Sequence, residues 1–159
     1  MRETVGRRSF DIVLCHGVMM YLAEPEPALD ELAHAVAPGG ILSLLVRNGD
    51  ALAMRPGLAG NWQGAARAFD TTSYVNRLDL PARADRLEDL RAELAKRGLS
   101  TSCWYGVRVF SDMMPSDQEL PPDDELAALI AVEEKAGRTD PYRAVAPLLH
   151  LVSTRGLED

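Results

Sequence analysis

Two small polar clusters stand at the ends of apolar runs. Cys15-His16-Gly17 follows Ile12-Val13-Leu14, and Arg47-Asn48-Gly49 follows the run from Ile41 to Val46. If both runs are parallel strands, the clusters lie beyond the carboxyl ends, where open α/β sheets bind their ligands. The residue types suit binding. An imidazole at His16 offers a polar contact, and Cys15 and Gly17 flank it where the backbone itself can approach a ligand. Arg47 and Asn48 have little packing rationale at the end of a buried strand, which makes them candidates for substrate contact. The plainer alternatives are a histidine satisfied by a loop carbonyl and an ordinary loop cap. Asn61 and Trp62 lie in an irregular stretch, where the indole either stacks a splayed base, as single-stranded RNA readers do, or anchors the stretch to the core. Arg108 interrupts a strand-like segment, and alternation places it on one face with Phe110, either facing solvent or meeting a substrate anion. No catalytic dyad is conspicuous.

The elements that must position these residues follow from periodicity. The two runs are short, apolar and bounded by polar residues, as central strands buried on both faces are. Between them Ala28, Leu29, Leu32, Ala33 and Val36 recur at helical spacing, with Pro25 and Pro27 at the start and Pro38-Gly39-Gly40 as the expected stop. The unit is therefore strand, crossover helix, parallel strand. Residues 49–84, punctuated by Pro56, Gly57, Gly60, Gly64 and Pro81, form the least regular part and are expected to act as a lid. Asp85 to Arg97 predicts an amphipathic helix with Leu87, Leu90 and Leu94 on one stripe and Gly98 as its end. Cys103 to Phe110 predicts a strand, Asp123 and Asp124 cap a helix through about Ala136, and His150 to Thr154 predicts the closing strand. The charges from Asp117 to Glu125 and from Glu133 to Lys135 are expected to be solvated faces and caps.

With 159 residues and 47% hydrophobic content, the chain has the size for one domain with a real core. No run of eighteen apolar residues and no secretory pattern occurs, so a cytoplasmic protein is expected. Cys15 and Cys103 are far apart and read as free thiols. His16, His34 and His150 show no ligand spacing with them, so no metal site is expected. A net charge of −7 argues against non-specific nucleic-acid binding. A local patch still exists: six arginines stand against four aspartates from Arg47 to Arg86.

The order FDIVLCHGVMMYL, a proline, then ALDELAHAVAPGGILSLLVRN resembles the fourth strand, helix and fifth strand of class I S-adenosylmethionine-dependent methyltransferases. GLAGNWQ, GVRVFSDMMP, DPY and the closing LLHLVSTR extend the resemblance over nearly the whole chain, to the bacterial subgroup that methyl-esterifies 5-carboxymethoxyuridine at the tRNA wobble position. The resemblance implies S-adenosyl-L-methionine as cofactor, with Cys15, His16 and Gly17 at it and His16 beside its methionine part. It implies tRNA as partner and adds Tyr142, in the Asp-Pro-Tyr match, to the substrate-binding candidates Arg47, Asn48, Asn61, Trp62 and Arg108. It also implies that the last strand is antiparallel and inserts beside the fifth, giving the sheet order fourth, fifth, seventh, sixth.

Departures accompany the likeness. The acidic-x-Gly-x-Gly-x-Gly turn that such enzymes carry after their first strand is not in this sequence. The fold class expected is accordingly α/β, a partial Rossmann-like methyltransferase sheet of strands four to seven, with strands one to three missing upstream of Met1. Residues 1–159 are read as a single truncated domain, inactive alone, and the exposed fourth strand is expected to pair with a complementing N-terminal half or with another copy. A non-catalytic remnant serving as a binding module is the competing expectation. An arginine-tyrosine pair expected before the last strand is replaced by Pro147-Leu148, and the arginine patch is thinner than the lysine cluster of the tRNA enzymes.

Overall fold

The computed structural model describes residues 8–157 apart from Arg77, Ser116 and Gln118. Arg77, one of the arginines of the expected patch, lies outside the described residues. The first run becomes β1 (Phe10–His16), the helix α1 (Glu26–Ala35) and the second run β2 (Val36–Arg47). The chain continues through α2 (Met54–Leu58), α3 (Trp62–Ala68), the hairpin β3 (Ser73–Val75) and β4 (Pro81–Arg83), α4 (Leu87–Lys96), β5 (Leu99–Val107), α5 (Asp123–Arg138) and β6 (Leu148–Arg155). Single 3-10 turns occur at Met19–Tyr21, Ser111–Met113 and Tyr142–Val145.

The main sheet has the order β1-β2-β6-β5. β1 and β2 are parallel, with Ile12 opposite Ile41 and His16 opposite Leu45, and β6 runs antiparallel to both its neighbours. That is the order and polarity expected of the four strands. Alternation divides the sheet into two unlike faces. Val13, Cys15, Leu42, Leu44, Leu149 and Leu151 face Leu29 and Ala33 of α1 and Leu90 and Leu94 of α4, and this layer is the core. On the other face Ile12 and Leu14 are 61% and 63% exposed. There the residues that α5 buries are Ala136 and Gly137, in its last turn.

Three expectations are corrected. Pro38-Gly39-Gly40 does not stop the helix: α1 ends at Ala35, and the tripeptide forms an irregular stretch inside β2, with Gly39 at φ +75° and a register shift against Phe10 and Ile12. Arg155 of β6 satisfies the end of α1 instead, donating to the carbonyls of Ala33 and Val36. The strand β5 stops at Val107, so Arg108 does not alternate with Phe110; it takes a left-handed conformation at φ +65°. Residues 49–84 are not irregular throughout, because two short helices and the β3–β4 hairpin occupy much of them. Cys15 and Cys103 are free, as expected.

Candidate functional site

The carboxyl ends of β1 and β2 open side by side. His16 ends β1, and Gly17 follows at φ +68° with nothing within 4 Å of where a Cβ would stand, so a ligand has access to its backbone. Gly17 N–H donates to Leu45 O, tying the turn to β2. The His16 ring reaches back across the bare face: its Nε2 lies 2.8 Å from Ser43 Oγ, which lies 2.7 Å from His150 Nε2. One hydroxyl hydrogen serves this bridge. Burial, and secondly the nearby His16, push the His150 pKa below its ordinary value.

At the end of β2 the two polar residues diverge in role. Asn48 is buried; its Nδ2 donates to Ala144 O and Ala146 O, and its Oδ1 accepts from Asp50 N. It ties the loop before β6 to the crevice. Arg47 instead runs over the Tyr74 ring, 5.6 Å from its centroid, into a cavity of about 350 Å³ that Arg55, Arg108, Asp112 and Tyr21 also line. Burial raises the Tyr74 pKa, with Arg47 opposing. The hairpin is pinned to the turn after β1, since Tyr74 OH donates to Met20 Sδ at 3.5 Å and Asn76 Nδ2 to Tyr21 OH at 3.2 Å. Among the described residues no group of three or more His, Cys, Asp or Glu is placed to hold a metal. No helix among them is long and apolar enough to cross a membrane.

A parallel β1–β2 pair with a ligand-accessible turn, and an antiparallel last strand inserted beside it, is a topology shared with known proteins. Residues 4–44 match the methyltransferase domain family. An S-adenosylmethionine-dependent methyltransferase of Mesorhizobium loti superposes with a TM-score of 0.56 at 13% identity, over 95% of this chain and 64% of that one. One of Methanosarcina mazei gives 0.57 at 11% identity, over 98% and 63%. The chain has the class I methyltransferase fold. In sequence it is similar to the tRNA 5-carboxymethoxyuridine methyltransferase of Escherichia coli strain K12, 27% identical over 149 residues that make up 91% of this chain. It spans about half that relative's length, 54%.

On this methyltransferase fold the sequence candidates separate. His16 and Gly17 border the crevice, and Cys15 points its side chain into the core beneath it. Arg47 and Arg108 meet in one cavity. Asn61 caps α3 by accepting from Gly64 N at 2.9 Å, and Trp62 beside it is 73% exposed. Tyr142 packs on Phe110 with ring centroids 6.3 Å apart, and neither it nor Trp62 lines the arginine cavity. Arg55, Tyr74 and Asp112 were not among the candidates. Arg55 belongs to the arginine-rich stretch and Asp112 follows Arg108 by four residues, which are the signals that could have found them; Tyr74 had none. Glu133, expected on a solvated face, accepts from three backbone N–H groups of residues 109–111.

Proposed function

We propose that this chain forms the acceptor-side half of an S-adenosylmethionine-dependent methyltransferase acting on a carboxylate of a modified wobble uridine in tRNA. The observation that carries the reading is the parallel β1–β2 crevice, whose open Gly17 turn lies inside the stretch, residues 4–44, that matches the methyltransferase domain. The cofactor that the matching family and structures imply is S-adenosylmethionine, and the crevice fits one side of it. His16 and Gly17 would hold its methionine end, with the Cys15 backbone beneath. Bound there, it supplies an electrophilic methyl group on a sulfonium. The other wall of the cofactor site is proposed to come from the segment that relatives carry beyond the matched region, joined to the free edge of β1.

The chain's own residues orient the acceptor and exclude water. Orientation of this kind supplies about 7 to 11 kcal/mol of a barrier. A carboxylate nucleophile is ionised at neutral pH, so the site needs no general base. Mass spectrometry of wobble uridines from cells with and without the gene tests the reading. Loss of the methyl ester, with the free acid accumulating, is expected; an unchanged nucleoside profile removes the proposed acceptor. The chain alone is expected to give no measurable heat with S-adenosylhomocysteine in a calorimetric titration, and micromolar binding would contradict the shared-wall arrangement.

A further inference from the structure

The cavity between the end of β2, the β3–β4 hairpin and the turn after β5 is built for an anion. Among the described residues that line it, Asp112 is the one carboxylate against the guanidinium groups of Arg47, Arg55 and Arg108. The Asp112 carboxylate lies 3.7 Å from each of Arg55 and Arg108, longer than a direct hydrogen bond, while Arg55 Nη2 donates to the Asp112 carbonyl at 3.4 Å. A carboxylate entering the cavity exchanges these long contacts for short, forked ones, the geometry that arginine offers best. Tyr74 and Tyr21 give it flat walls, and a volume of about 350 Å³ is the size of a small-ligand site.

The aim of Arg108 is imposed from elsewhere. Its φ of +65° lies in a region that side-chain-bearing residues seldom adopt. The turn that follows is clamped by Glu133 of α5, whose carboxylate accepts from the N–H groups of Val109, Phe110 and Ser111 at 2.8, 3.0 and 2.7 Å. Non-glycine residues held in left-handed backbone cluster at functional sites. Here that backbone turns the chain out of β5 and delivers Arg108 and Asp112 to the cavity. The Arg-Tyr pair expected before the last strand is absent from this chain, and these arginines come from different elements.

We infer that this cavity is the acid-recognition site for the methyl acceptor. Arg108, with Arg55 and Arg47, binds a carboxylate borne on a planar base, and Glu133 is the positioning residue for Arg108. This rests on the methyl-transfer reading above. In the transfer a carboxylate oxygen forms an O–CH₃ bond as the S–CH₃ bond breaks; the bonding pair passes to sulfur, and no proton moves. The acceptor loses its negative charge in becoming an ester. The arginines that hold the acid therefore release the product.

Titration of the full chain, followed by amide NMR, needs neither cofactor nor turnover. The probes are 5-carboxymethoxyuridine, its methyl ester and uridine 5′-monophosphate. The acid is expected to bind about tenfold or more tightly than the ester, the scale of a charge-assisted hydrogen bond. Arg108→Gln removes that preference and Arg108→Lys restores part of it. Glu133→Gln weakens the acid and leaves the ester unchanged, and the amide spectrum of each variant verifies that it is folded. Equal binding of acid and ester, binding of neither, or preference for the monophosphate overturns the inference. Acid preference in a protein whose removal leaves the wobble uridines unchanged keeps the cavity and defeats the transfer reading. Methyl-ester formation that Arg108→Gln leaves intact does the reverse.

Discussion

Asp85 lies beneath the end of β2, where its backbone N–H donates to Arg47 O and its carboxylate meets Arg83 at 2.7 Å. Burial outweighs the arginine and raises its pKa above the ordinary 3.8. The folded state therefore holds this proton more tightly than the unfolded chain does. The Asp85 contribution to stability is greatest below the ordinary value, falls as pH rises through the raised folded value, and stays at its minimum above it. Asp85→Asn is expected to gain melting temperature relative to the parent as pH climbs from acid toward neutral. Calorimetric melts across that range check this, and a difference that does not change with pH would show the carboxyl titrates as in the unfolded chain. None of this is legible in the sequence, where Asp85 marks only the start of an amphipathic helix. The same blindness applies to Arg108, whose left-handed backbone and Glu133 clamp are tertiary facts. The places of His16 and Arg47 at strand ends were legible, because strand ends in a parallel sheet are visible as the ends of apolar runs.

At the scale of elements, the sheet was readable and its attachments were not. Four strands and the helices α1 and α4 announce themselves by period, since burial against a layer imposes it, and α5 by the aspartates at its start. The helices α2 and α3 have no buried residue, so no apolar stripe marks them. Docking of α5, and of the turn that follows it, depends on glycines that carry no periodic signal. A Cβ on Gly137 would meet Gly106 O at 2.5 Å, and one on Gly106 would meet Arg143 O at 2.6 Å. Gly137→Ala must push α5 off β5, at a cost of about 1–3 kcal/mol by analogy with overpacked cores. Denaturant unfolding measures this, and a loss below a few tenths of a kcal/mol would mean α5 is not seated by this contact. The polar bridge across β1, β2 and β6 gives a second test. The lowered His150 pKa means the folded state disfavours its proton, so stability is full above the ordinary 6.5 and declines as pH drops below it toward the folded value. His150→Gln should remove that segment of the pH profile, and an unaltered profile would assign the acid sensitivity elsewhere.

For the molecule as a whole, the unequal faces of the sheet matter most. Parallel strands are ordinarily covered on both sides, yet here one face has α1 and α4 while the other exposes Phe10, Ile12 and Leu14 along a strand that, among the described residues, pairs only with β2. Such an edge offers free backbone groups beside apolar side chains and lacks the lysines or prolines that usually discourage pairing. The face also runs on into the groove between β5 and α5, where Tyr105, Leu129 and Ile130 are accessible. A strand added to β1 with helices laid over this surface would complete the two-sided layer that the relatives' greater length allows. Without that complement, a second copy is the nearest supply of matching surface, and the isolated chain is expected to associate as its concentration rises. Sedimentation at tens of micromolar should show species heavier than a monomer, and the double change Ile12→Lys and Leu14→Lys should shift them back by placing charge on the edge. A parent chain that sediments as one sharp monomer would mean that the edge of β1 is protected by its own twist and solvation, and the case for a complementing strand would fall with it.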